Sequence, residues 1–143
     1  METIQSRLSH NYAVRELNRL EQLRLCEQAR ADGLTQTEIA HRLFISQPEV
    51  HRILRKIELV PDLLRRTPRE VILDFHAEKI DHAQMMTELS GWPFTFSEIV
   101  EPHNPEGQVS LGSWDDMTDA FHRDLIDGSD YQTIKNAVWP KSN

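Results

Sequence analysis

Apolar residues return at intervals of three and four along most of the 143-residue chain, the spacing of a helix face rather than of a strand. From about Val14 to Asp32 the run VRELNRLEQLRLCEQARAD offers Val14, Leu17, Leu20, Leu23 or Leu25, Cys26 and Ala29 to one face. Gly33 follows, where a helix end calls for a residue that enters φ > 0 readily. Two short helices are predicted next, over about 36–43 and 47–58. After a joint at Val60-Pro61, four more are predicted over about 68–78, 82–90, 114–126 and 129–138. Period-two alternation is nowhere long enough to predict a strand, and the Pro-, Gly- and aromatic-rich stretch 91–113 reads as ordered loop.

The helix starts carry their own signals. Thr35 with Glu38, Ser46 with Glu49, and Thr67 with Glu70 stand at capping-box spacing, in which the hydroxyl bonds the third amide and the Glu reaches back. Pro68 occupies a first helical position, where a missing N–H costs nothing. The fold expected is all-α. It comprises a tri-helical N-terminal domain over 1–60, a linker over 61–67, and a helical domain over 68–143 built of paired αα-hairpins.

Charge divides the chain in the same place. The net charge is −7, yet residues 1–66 carry 11 Lys and Arg against 9 Asp and Glu, while residues 67–143 carry 5 against 14. Only the first half is therefore suited to face a polyanion. The single cysteine, Cys26, excludes an intramolecular disulfide and a cysteine-rich zinc site. The N-terminal METIQSRLSHNY has no apolar core, and no apolar run approaches the length of a membrane span. A cytoplasmic protein with no membrane association is expected.

The segment GLTQTEIAHRLFISQPEVHRILRKIE, Gly33 to Glu58, has the layout of two helices crossing over a short turn. Ala40 is the small residue at the closest approach, Leu43 and Ile45 plug the turn, and Val50, Ile53, Leu54 and Ile57 form the inward stripe of the second helix. Gln47, Pro48, Glu49, His51, Arg52, Arg55 and Lys56 remain outward, a polar and cationic set. This wording resembles the helix-turn-helix of bacterial transcriptional regulators, whose motif reads G-L-T-Q-x-E-I-A-x-x-L-G-I-S-x-x-x-V-x-R-x-L, shared by resolvase-type, SorC-type and sigma region 4-type tri-helical modules. The likeness covers about 25 residues, and Phe44 stands where those modules usually have Gly. A bulky residue at φ > 0 is costly, so either the turn differs or packing holds the ring.

What the resemblance implies is binding of double-stranded DNA in the major groove. Ser46, Gln47, Pro48, His51, Arg52 and Arg55 are then the base-contacting residues, with Gln47 suited to adenine and Arg52 or Arg55 to guanine. Thr35, Gln36, Arg42 and Lys56 are the phosphate-contacting residues. Glu49 would repel phosphate if turned outward, and its expected role is the cap.

The acidic half contains an internal echo. Phe75-His76 and Ile80-Asp81 return 46 residues later as Phe121-His122 and Ile126-Asp127, with Met85 and Tyr131 each four residues beyond the Asp. Each copy reads as a helix, a tight turn, and an Asp-capped second helix. Between the copies, Trp92, Phe94, Phe96 and Trp114 either lid a small core or form, with Asp115 and Asp116, an acid-rimmed face for a protein partner.

Two functions suit such a chain: a sequence-specific transcriptional regulator, expected to be a repressor with its second half available for homodimerisation, or an antitoxin whose acidic half masks a toxin. Catalysis is not expected, because the seven His are scattered and no Gly-rich phosphate loop or nucleophile elbow exists. His76 and His82 with Asp74 and Asp81 read as ordinary surface groups, and neither metal nor cofactor is expected.

Overall fold

A computed structural model describes residues 2–96, 98–99, 109–110 and 113–139 of the chain. The fold is all-α: helices α1 (Ile4–Ala31), α2 (Gln36–Leu43), α3 (Gln47–Leu59), α4 (Pro68–His76), α5 (His82–Ser90), α6 (Trp114–His122) and α7 (Gly128–Val138), with a 3-10 turn at Pro61–Leu64. Two strands of two residues each, β1 (Glu98–Ile99) and β2 (Val109–Ser110), pair antiparallel inside the stretch expected to be loop. A ladder that short leaves no alternation to read. Residues 97, 100–108 and 111–112 of the same stretch lie outside the described residues.

The chain divides into two compact units, one made of residues 15–65 and the other of residues 1–14 with 66 onward. Helix α1 begins ten residues before the expected Val14. Its start is held by a local box in which Thr3 Oγ1 accepts from the Ser6 amide at 3.0 Å and Ser6 Oγ accepts from the Thr3 amide at 3.1 Å. Side-chain contacts distant in sequence secure the following turns: His10 Nδ1 donates to the His76 carbonyl at 2.9 Å, Arg69 donates to the Tyr12 hydroxyl at 3.1 Å, and Ala13 is buried.

Within the unit 15–65, Cys26 of α1 meets Ile39 and Ala40 of α2 and Val50, Ile53, Leu54 and Ile57 of α3 in one core. Leu23, Ala29, Leu43 and Ile45 pack on it, and of the two α1 leucines left open it is Leu23 that faces inward, Leu25 being exposed. Arg24 closes the base of the unit by donating from Nε and Nη2 to the Leu64 carbonyl at 3.1 and 2.9 Å.

In the other unit, the hairpin α4–α5 packs on the hairpin α6–α7 through α4 against α6 and α5 against α7. The core joins Val71, Ile72, Met85 and Leu89 of the first hairpin to Trp114, Met117, Ala120, Ile126 and Ile134 of the second. The 46-residue echo is structural. Glu78 (φ 64) and Asp124 (φ 59) occupy equivalent left-handed positions, and the bonds Lys79 N to Asp74 O and Leu125 N to Ala120 O close equivalent turns at 2.9 Å. This is the Schellman ending, in which an amide reaches back five residues to an orphan carbonyl. It stops α4 at His76 and α6 at His122, short of the expected 78 and 126. Asp81 and Asp127 then start α5 and α7 by accepting from Gln84 N at 2.8 Å and Asp130 N at 2.7 Å.

The same ending recurs at Gly33 (φ 93), where Leu34 N donates to Ala29 O, and at Phe44 (φ 57), where Ile45 N donates to Ala40 O. Packing does not hold the Phe44 ring, which is 95% exposed. The turn keeps the left-handed geometry that glycine would favour and places a phenyl group in solvent.

Candidate nucleic-acid interface

Helix α3 is divided lengthwise by its own sequence. Val50, Ile53, Leu54 and Ile57 recur at helical spacing and are buried, so the residues between them must point away from the core. Gln47, Pro48, His51, Arg52, Arg55 and Lys56 are all exposed. Ser46 starts the helix, its Oγ accepting from the Glu49 amide at 3.2 Å, which leaves the hydroxyl hydrogen free to donate outward. Pro48 sits in the first turn, where no N–H is lost to the helix ladder.

Expected phosphate contacts flank this face. Thr35 caps α2 and its hydroxyl is used both ways, accepting from Glu38 N and donating to Glu38 Oε1, each at 3.1 Å. Gln36 is half-buried, while Arg42 and Lys56 are exposed and make no ion pair among the described residues. The expected reciprocal box does not form at Ser46, because the Glu49 carboxylate turns to Arg52 instead. The complete box forms at Asp81 with Gln84.

Two of the cations on α3 are held by neighbours on the same helix. Arg52 pairs with Glu49, and Arg55 lies 3.4 Å from Glu58 with exposed side chains on both sides. Exposed pairs of this kind contribute about 0–1 kcal/mol. Either guanidinium is therefore released to a stronger anion at little cost.

Three polar side chains join α2 to α3. Gln47 Nε2 donates to Gln36 Oε1 at 2.5 Å, and Gln36 Nε2 stands 3.3 Å from His51 Nδ1. Beside them a shallow cleft of about 160 Å³ is lined by Arg30, Gln36, His51, Leu54, Arg55 and Glu58. Arg30 comes from the last turn of α1 and is held by Glu27 at 2.5 Å, a hydrogen bond that raises its pKa further. Sequence reasoning missed Arg30 and Glu58, because nothing in the spacing along α1 reveals which of its turns borders α3.

Of the two roles left open for the aromatic residues between the hairpins, the structure shows the packing against a core. Trp114 is 5% exposed and belongs to the core, its ring meeting Phe94 edge-on at 4.9 Å and lying 5.5 Å from Tyr131. Trp92, Phe94 and Phe96 are half-buried and pack against that core, so these rings lid it. Asp115 and Asp116 are half-buried as well. Asp116 accepts from Arg69 N at 3.3 Å, and burial pushes its carboxyl above the usual range.

Nor are all four residues around His76 surface groups. His76 is half-buried and its Nε2 donates to the Leu125 carbonyl at 2.6 Å, tying α4 to the turn before α7. Asp74 is buried and receives Arg66 at 2.8 Å, and His82 meets Asp130 at 2.8 Å. Among the described residues no group of three or more His, Cys, Asp or Glu is placed to hold a metal ion, and no helix is long and apolar enough to cross a membrane.

Compared with models of protein families, with curated proteins and with solved structures, the chain matches none.

Proposed function

We propose that the chain is a sequence-specific DNA-binding transcriptional regulator, acting as a repressor, in which α3 enters the major groove. The observation that supports this reading is the lengthwise division of α3: one buried apolar stripe, and opposite it six exposed residues able to donate to or contact base edges and phosphates. Arg52 and Arg55 serve as base readers whose weak intrahelical pairs exchange for guanine, and Arg42 and Lys56 serve as phosphate positioners. The reading assigns the chain no catalytic role and no cofactor. The alternative, an antitoxin whose acidic half masks a toxin, would use α3 in the same way and differ in the partner of residues 67–143, which carry 5 Lys and Arg against 14 Asp and Glu.

The test is quantitative. Replacing Lys56 with Ala should weaken binding to all sequences alike and reduce the slope of log K against log salt by about one unit. Replacing Arg52 with Ala should instead relax base preference, by about 1–3 kcal/mol at one position of the bound site. Both are read from selected and random oligonucleotides titrated at several salt concentrations. Absence of any salt-dependent binding by the intact chain would refute the reading.

A further inference from the structure

The hydrogen bonds between α2 and α3 have a direction. An amide nitrogen carries hydrogens and offers no lone pair, so where Gln36 Nε2 faces His51 Nδ1 at 3.3 Å, the ring nitrogen must accept. A neutral imidazole with a bare Nδ1 carries its proton on Nε2. Gln36 cannot simply turn over, because its Oε1 is already the acceptor for Gln47 Nε2 at 2.5 Å. Reversal would require both glutamine amides and the ring to change together, so the three groups share one polarity. The middle group, Gln36, is half-buried, whereas Gln47 and His51 at the two ends are exposed.

We infer that Gln36 is a positioning residue that sets the tautomer of His51 and so makes His51 a donor-only reader on the exposed face of α3. This rests on the DNA-binding reading above. An Nε2–H pairs with acceptors in the major groove and offers nothing to the amino group of cytosine. Guanine, which presents N7 and O6 side by side, is the preferred base. Gln47, anchored by one hydrogen, keeps its carbonyl oxygen and a second N–H free, the acceptor and donor pair complementary to adenine. The charged groups bordering the ring are Arg30 from α1 and Arg55 and Glu58 from α3, but the partner at Nδ1 is a neutral amide. The tautomer is therefore set by hydrogen-bond polarity and not by a carboxylate.

The experiment uses the full chain with ¹⁵N-labelled histidine. Long-range ¹H–¹⁵N spectra at alkaline pH, with the His51 signals identified by their loss in His51→Asn, should show the ring protonated at Nε2. Gln36→Leu should give mixed tautomers, and Gln36→Glu, whose carboxylate only accepts, should move the proton to Nδ1. In oligonucleotide selections Gln36→Leu should lower the preference for guanine over the other bases at the His51 position by about two- to tenfold, the worth of one hydrogen bond. The wild-type spectrum depends on no Gln36 variant folding, and an Nδ1–H or mixed ring there overturns the role of Gln36. An Nε2–H ring with no change of base preference in Gln36→Leu overturns the reading role of His51. An Nε2–H ring in a chain that shows no salt-dependent DNA binding overturns the DNA reading and the base assignment with it, and leaves the tautomer lock standing.

Discussion

Replacing Phe44 with glycine should stabilise the unit that carries α2 and α3. Phe44 sits at φ 57, ψ 39, a conformation that costs a residue with a Cβ roughly 1–2 kcal/mol. Its ring is 95% exposed, so truncation forfeits almost no packing. Glycine returns roughly 0.5–1 kcal/mol of that gain through the larger conformational freedom of the unfolded chain. The net expectation is a gain of about 0.5–1 kcal/mol, which raises the urea midpoint by about 0.5 M at ordinary denaturant slopes. Phe44→Ala separates the two contributions: it keeps the Cβ and removes the ring, and should change stability by less than about 0.5 kcal/mol. Phe44→Asn, which tolerates the left-handed region, should fall between the two. Urea unfolding followed by circular dichroism, with hydrogen exchange of the α2 and α3 amides, measures each variant. A destabilising Phe44→Gly, or a loss above about 1 kcal/mol in Phe44→Ala, would refute the account, since either requires the ring to be bound in the folded chain.

Three further outcomes follow from the same physical reasoning. Arg66 holds Glu88 at 2.7 Å and Asp74 at 2.8 Å, hydrogen bonds that raise its pKa further; Arg66→Met strands the buried Asp74 and should cost about 1–2 kcal/mol, less than a fully buried pair because the Arg66 side chain is 36% exposed. A thermal midpoint within experimental error of wild type would contradict it. Asp116 has a folded pKa raised first by burial, so its contribution to stability is fully present below the unfolded carboxylate value and is lost as pH rises through the folded one; Asp116→Asn, which still accepts from Arg69 N, should gain on wild type as pH rises through that window, and a pH-independent difference in urea midpoint would exclude this. Cys26 is fully buried and burial pushes its thiol pKa up; a thiol reagent should label it only as fast as the α1–α3 core opens, and rapid labelling of the native chain would show that core to be wrongly assigned.

What the sequence determined by itself is local. Thr35, Ser46 and Thr67 announced three helix starts because a cap is made with an amide three residues on, and the alternation of Val50, Ile53, Leu54 and Ile57 with polar residues assigned the two faces of α3 because a helix repeats every 3.6 residues. The Phe75 and Phe121 echo was legible for the same reason: both turns close through bonds spanning five residues.

Tertiary structure decided what depends on residues far apart in the chain. The first ten residues of α1 are secured partly by His76 and Arg69, more than fifty positions away, which no pattern along the helix records. For Trp114 and the rings around it the sequence left a core lid and a partner face both open, and only the meeting of two hairpins set them against a core. The direction of the bonds through Gln36 likewise arises where two helices cross. A side chain's hydrogen-bond polarity is set by the atoms it meets, and those atoms are chosen by the packing of helices, not by their order in the chain.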